Sequence, residues 1–419
     1  MNLKTVFEHV DRDFEWAVKI LKEIISIPTI NPPGEHYGEF KDYIVEILRD
    51  IGMDVHVHKV PKDYVSMHYP DYADKPRYII IARIGKNKPV LQFNGHYDVV
   101  PPGSGWSRDP FKPHVSDEKL YGRGAVDMKG GIAATLLAIK TVISLLGEPE
   151  NGSLEIALVP DEEIGGKTGT GYLVEYLGVP DYTVIAEPSN TNNVWIGHKG
   201  ALWGFIEIYG KQAHGSTPWH GVNAFEYMVR VALDMIREYN AKLDSKHSAY
   251  DYGDPRAAKP TINLGGEVVG GAKINVVPGY YAFSFDRRLI VEEKLEEVEK
   301  EIREFIDEIS KKYKQNGVEI KLKIVSKLAP AFTSPNNILV KTLIDIGKNL
   351  GLNIRPIVCV GGLDLHYYTT KGVTAIAYGP GPTDLAHQAN EYVSLKELRT
   401  AAKVYAGLIN TLIYSNHGL

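Results

Sequence analysis

The chain has 419 residues, 44% of them hydrophobic and 24% charged, the balance of a globular protein of two or three domains. Its net charge of -5 supplies no basic footprint and argues against nucleic acid as the main partner. One cysteine, Cys359, excludes an internal disulfide and fits a reducing cytoplasm; its Ile-Val-Cys-Val setting points to core packing rather than a thiolate nucleophile. The N-terminus lacks the apolar region of a signal peptide, and no uninterrupted apolar run is long enough to span a bilayer, so no membrane partner is expected.

Apolar residues at helical spacing predict a helix from Asp13 to Ile25, and a second from Tyr37 to Ile51 after the turn Asn31-Pro-Pro-Gly34. The polar, Tyr-rich stretch from Pro61 to Lys75 reads as loop. Tyr78 to Ile84 and Val90 to Phe93 read as strands, the second buried on both faces. A hairpin-like region from Pro110 to Leu120 precedes a helix from Ile132 to Leu146. Leu154 to Pro160 and Val184-Ile-Ala186 are further buried strands. From about Asn192 the strands alternate polar and apolar residues, as at Ala201 to Tyr209 and Tyr280 to Leu289. An amphipathic helix from Gly221 to Tyr239 and a charged one from Glu292 to Lys314 accompany them, while Ala241 to Lys259 reads as a mobile loop. After a helix from Asn337 to Leu350, a buried strand from Val373 to Tyr378 and a closing helix from Leu395 to Tyr414 return to the first style. The fold expected is an α/β catalytic domain with a mixed, mostly parallel sheet flanked by helices, built from 1–191 and 327–419. An α+β sandwich over 192–326 is inserted into it.

Polar residues cluster where the buried strands end. Val90 to Phe93 runs into Gly95-His96-Tyr-Asp98, a histidine backed by a carboxylate, which is what a metal site needs. Asp127 lies in Gly122-Arg-Gly-Ala-Val-Asp127-Met-Lys, just before a helix, where in isolation it reads as an N-terminal cap. Leu154 to Pro160 runs into Asp161-Glu162-Glu163-Ile-Gly-Gly166. Three adjacent acids between apolar residues and glycines repel one another and call for a cation. Val184-Ile-Ala ends in Glu187-Pro-Ser189. Ligand sites in open α/β sheets lie outside such strand ends.

Together with Ala386-His387-Gln-Ala-Asn-Glu391, these motifs occur in an order that resembles the family of acetylornithine deacetylase, succinyl-diaminopimelate desuccinylase, aminoacylase and glutamate carboxypeptidase. Those enzymes are dinuclear zinc hydrolases of amide bonds, and the resemblance covers the whole chain. It implies that Asp127 bridges two divalent metals, with His96 and Glu187 completing one site and Glu163 and His387 the other. A mixed imidazole and carboxylate set suits catalytic zinc, and also cobalt or manganese. Glu162 becomes the general base, Asp98 orients His96, and the peptide after Asp127 is cis.

The resemblance reaches the inserted domain. Gly210-Lys-Gln-Ala-His214-Gly-Ser-Thr-Pro218 resembles the segment whose histidine crosses to a partner subunit and stabilises the oxyanion, which implies a homodimer with His214 acting in trans and the inserted domain serving as lid and dimerisation domain. Arg288 matches the arginine expected to grip a substrate carboxylate, and Asn263 is a second candidate contact. Gly361-Gly362-Leu-Asp364-Leu-His366 carries a histidine where the desuccinylases have an arginine, which counts against a succinyl substrate. Glu187 resembles the deacylases, since aspartate is commoner there in the peptidases. The expected substrate is an N-acyl amino acid, with a carboxypeptidase or dipeptidase as the alternative. A non-catalytic relative would need a damaged site, whereas all five ligand positions and Glu162 are suitably filled. His56, His58, His68, His114 and His220 have no partners at ligand spacing and read as surface residues.

Overall fold

The computed structural model describes residues 1–415. The chain forms two compact units. The first takes Met1–Ile196, Thr333–Pro356 and the chain from Leu363 onward; the second takes Gly197–Phe332 and Ile357–Gly362, so it is inserted into the first along the chain.

The first unit is built on a mixed sheet. Its central strands Ser153–Val159, Val90–His96, Tyr182–Ile185 and Thr374–Ala377 are parallel neighbours in that order. Tyr78–Ile84 and Asp54–Lys59 extend one side antiparallel, and Asn193–His198 pairs antiparallel on the other. Val90–His96 is buried at every position, as its apolar sequence predicts for a strand covered on both faces. Lys129–Leu146 is the one described helix long and apolar enough to cross a membrane by length and composition, and 72% of it is buried. It packs against Phe14–Ser26 and Leu395–Ile409, which explains why it is apolar almost all round, Lys129 and Lys140 excepted. The Cβ of any other residue at Gly131 would stand 2.0 Å from the carbonyl oxygen of Ala186, so this helix approaches the Glu187 strand end only through glycine.

Several expectations change. Pro61 to Lys75 is not all loop: Lys62–His68 is a helix with a 3-10 turn at Pro70–Tyr72, held by ring contacts between Tyr64, His68, Tyr172 and Tyr176. A helix at Leu3–Arg12 and a strand at Asp54–Lys59 also escape the sequence reading. Cys359 is buried, as its neighbours suggest.

The second unit is an antiparallel sheet in the order Thr261–Gly270, Tyr280–Leu289, Gly200–Tyr209, Glu319–Leu328. Helices Ala224–Asp234 and Leu295–Lys314 bury Met228, Val231, Ile302 and Ile306 against Leu202, Ile206, Phe283 and Phe285 on one sheet face. The two edge strands are not legible in the sequence, because their burial patterns are largely exposed. Ala241 to Lys259, expected as a mobile loop, contains a helix at Asn240–Asp244 and a turn at Pro255–Ala258. Its anchors include Ser248 Oγ, which donates to Glu292 at 2.8 Å.

Candidate metal centre

Parallel strands end together, so the loops that leave them converge on one edge of the sheet. His96 is the last residue of its strand and 1% exposed. Its Nε2 lies 3.0 Å from Asp127 Oδ1 and 3.6 Å from Glu187 Oε1. On the other side of Asp127, His387 Nε2 lies 3.3 Å from Oδ2 and 3.0 Å from Glu163 Oε2. The five residues expected to bind metal therefore meet at one place, with Asp127 in the middle. His96, Glu162 and Glu187 form one group with ligand atoms close enough to share an ion; His96, Asp127 and Glu163 form another. The Asp127–Met128 peptide is cis.

The electrostatics are those of a site built for cations. Burial raises the Glu187 carboxyl to about 8, with the Asp127 charge adding to it. Burial also pushes Glu162 well above the ordinary range; His96 pulls it back, while the charges of Glu187, Asp364 and Glu163 push it up. At His96 burial opposes the charged ring, yet Asp127, Asp98 and Glu187 outweigh it and raise the imidazole. Asp127 and Glu163 hold the His387 ring up at about 10. Buried carboxylates this close cannot all ionise without a compensating charge. Glu163 Oε1 is buried with no hydrogen-bond partner among the described residues, a lone pair aimed at something the chain does not supply. Imidazoles and carboxylates without thiolates suit zinc, cobalt or manganese, so the residues fit a divalent metal pair.

Supporting residues refine the expectations. The Nδ1 of His96 lies 3.0 Å from the backbone oxygen of Asp98 and 3.5 Å from its carboxylate Oδ1. The Asp98 carboxylate is chiefly engaged elsewhere: it accepts from Asn31 Nδ2 at 2.8 Å and from the backbone N–H groups of Glu162 and Glu163 at 3.3 and 3.2 Å. It thus positions both glutamates as well as the histidine. Asp161 does not share the cation that its neighbours await. It is fully buried at a φ of 65°, and its carboxylate accepts from Arg77 Nε at 2.7 Å, Tyr37 at 3.0 Å, Asn31 at 3.1 Å and the Thr168 hydroxyl. Its cation is the Arg77 guanidinium, which pins the turn that presents Glu162.

Two positioning acids are not assigned from the sequence. Glu391 Oε1 accepts from the backbone N–H of Val126 at 2.8 Å and of Asp127 at 3.2 Å, while Oε2 meets Arg123 at 2.5 Å. The signal is present, since Glu391 closes the His387 motif. Asp364 is buried and raised to about 6 by that burial. Lys129 Nζ donates to the carbonyls of Ile24 and Ile27 at 2.7 and 2.8 Å, satisfying the end of helix Phe14–Ser26. His366 is lowered to about 4 by burial, and its ring lies 4.0 Å from that of Tyr367 at a tilt of 38°.

The remaining candidates lie in the second unit. His214 is exposed on the short strand Ala213–His214, with Nδ1 2.7 Å from Ser216 Oγ. Arg288 and Asn263 share the sheet face away from the helices. Arg288 already meets a carboxylate, with Nε 2.8 Å from Asp286 Oδ1, and lies over the Trp203 ring. Asn263 stands opposite Asp286 on the next strand.

The model of the peptidase family M20/M25/M40 matches residues 92–411, a span that contains every residue placed around Asp127. The chain is 30% identical over 410 residues to an uncharacterized metallohydrolase of Methanocaldococcus jannaschii, covering 93% of this chain and 98% of the relative. It is 28% identical to a succinyl-diaminopimelate desuccinylase of Nitratiruptor, covering 94% and 99%. A tripeptidase from Staphylococcus aureus has the same fold, with a TM-score of 0.72 at 20% identity, covering 96% of this chain and 98% of that one. This chain is a hydrolase and belongs to peptidase family M20/M25/M40.

Proposed function

We propose that the protein hydrolyses the amide bond of N-acyl amino acids with two divalent metal ions, zinc first among the candidates. The observation that carries this is Asp127 set between His96 and His387, with Glu162, Glu163 and Glu187 around it. When bound, the cations polarise the amide carbonyl and acidify the attacking water. His96 and Glu187 would hold one ion and Glu163 and His387 the other, with Asp127 available to both. Glu162 accepts the proton of the water and returns it to the leaving amine nitrogen. Asp98 and Glu391 keep the backbones of Glu162, Glu163 and Asp127 in place.

On this reading 1–191 and 327–419 form the catalytic domain, and 192–326 a lid and dimerisation domain. His214 reaches the oxyanion of a partner's substrate, and Arg288 and Asn263 contact the substrate's far end. A homodimer has a physical support: Phe225, Val229, Leu233 and Ile236 recur at helical spacing on the side away from the core and are 46%, 49%, 39% and 53% exposed. The edge strand Thr261–Gly270 adds exposed Val268 and Val269. The substrate is a small molecule, and the lone buried cysteine fits a cytoplasmic enzyme.

A peptidase of the same metal chemistry is the second reading, favoured by the fold shared with the tripeptidase. Metal-stripped protein reloaded with zinc, cobalt or manganese and offered N-acetyl, N-succinyl and dipeptide substrates separates the two. Cleavage of acyl amino acids supports the first reading; cleavage of dipeptides alone replaces it.

A further inference from the structure

One row of the first unit's sheet is polar where its neighbours are apolar. Asp54, Arg83, Glu155 and Gln92 stand directly opposite one another on four adjacent strands, so their side chains share a face. Asp54, Arg83 and Glu155 of this row line a cavity of about 750 Å³, with Gln92 buried behind them. Its lining includes Arg83, Lys86, Glu155 and Glu148 together with the apolar Leu173 and Leu177, and Arg83 Nη2 donates to Ser153 Oγ at 2.9 Å.

Glu155 is tied inward. Its Oε1 accepts from Gln92 Nε2 at 2.5 Å, and Gln92 Oε1 accepts from the Tyr368 hydroxyl at 2.5 Å. Asn94 Nδ2 donates to the Tyr368 oxygen at 2.9 Å and to Thr170 Oγ1 at 3.3 Å. Thr170 in turn hydrogen-bonds the Asp364 carboxylate. Asp364 Oδ1 lies against Gly166, on the loop that carries Glu162 and Glu163. Gln92, Asn94, Thr170 and Tyr368 are all buried. Gln92, Asn94 and His96 alternate along one face of their strand, so the polar line leads from the cavity toward the metal centre. A sheet core needs no such line for packing, and each member is held only because it has a partner.

We propose that this cavity is a second ligand site, for a free α-amino acid with an aliphatic side chain, and that its occupant is felt at the metal centre through Gln92, Tyr368, Asn94, Thr170 and Asp364. The α-carboxylate meets Arg83 and Lys86, the α-ammonium meets Glu155, and the aliphatic part lies against Leu173 and Leu177. A zwitterion satisfies Arg83 and Glu155 together, which a simple anion or cation does not. An ammonium at Glu155 competes with the Gln92 amide for the same carboxylate. The donors run outward from Asn94 to a carboxylate at either end, so loosening one end re-aims the other.

The test titrates L-leucine into the full chain by calorimetry. Binding is expected in the wild type and in Glu162→Gln, and at least tenfold weaker in Arg83→Met and in Leu177→Trp, which fills the cavity from its apolar side; circular dichroism confirms that each variant is folded. Saturating L-leucine is expected to change kcat without the KM rise of competition, and Tyr368→Phe to keep binding while losing the kcat change. No binding, or binding that survives both cavity variants, overturns the site. Binding lost in those variants with kcat unmoved in the wild type overturns the link. The link rests on the hydrolase reading above; the calorimetry involves no turnover, so failure of that reading leaves the binding arm intact.

Discussion

His96 and His387 face each other across a single carboxylate, His96 Nε2 at 3.0 Å from Asp127 Oδ1 and His387 Nε2 at 3.3 Å from Asp127 Oδ2. They come from places 291 positions apart in the chain, one at a strand end and one in a loop at a φ of 63°. Glu163 and Glu187 stand beside them, so imidazoles and carboxylates that could hold a divalent metal converge on Asp127.

Glu162→Gln is expected to keep both ions and lose turnover by about 10²–10⁴-fold, because the amide cannot take the water's proton while the ligands remain. Metal analysis beside steady-state kinetics checks it. A wild-type rate in the metal-loaded variant removes Glu162 from the chemistry.

Stability of the metal-free protein should fall as pH rises. The folded Glu187 carboxyl sits at about 8 and the His387 ring at about 10, both above their ordinary values. A group raised on folding contributes stability that is complete below its unfolded pKa and lost as pH climbs to its folded one. The windows are therefore roughly pH 4.5 to 8 for Glu187 and 6.5 to 10 for His387. His387 is half exposed, so solvent screening reduces its share. Added zinc binds the deprotonated groups and should raise Tm more at pH 8 than at pH 5.5. A zinc-induced Tm gain that shrinks with pH would contradict the assignment of these ligands.

Arg77→Met should cost about 3–5 kcal/mol, because it strands the Asp161 carboxylate in a site where both partners are wholly buried. Urea denaturation measures it. An unchanged midpoint would mean that the turn carrying Glu162 does not depend on this pair.

His214→Ala alone should be nearly inactive. Mixed with Glu162→Gln and allowed to exchange subunits, it should regain part of the rate, since one of the two sites in a heterodimer then combines the intact Glu162 of one chain with the intact His214 of the other. Analytical ultracentrifugation of the mixture confirms the dimer, and an exchanged dimer without recovery rules out action in trans.

The sequence by itself determined the strands that carry His96, Glu162, Glu163 and Glu187, because each motif comes directly after an apolar run whose burial the composition dictates. Asp127 and His387 were marked only by the family resemblance that their motifs carry. Only the tertiary structure decided which charge meets which. Asp161 is indistinguishable from Glu162 and Glu163 in the sequence, yet Arg77, 84 positions away, claims it. Asp98 reaches two backbone amides 64 and 65 positions on as well as flanking its neighbouring histidine. Helix Lys62–His68 is hidden in the sequence because its stability comes from ring contacts with Tyr172 and Tyr176, far along the chain, rather than from an apolar period of its own. Local pattern fixes what is buried; the partner of a buried charge is fixed by whichever distant segment the fold brings within reach.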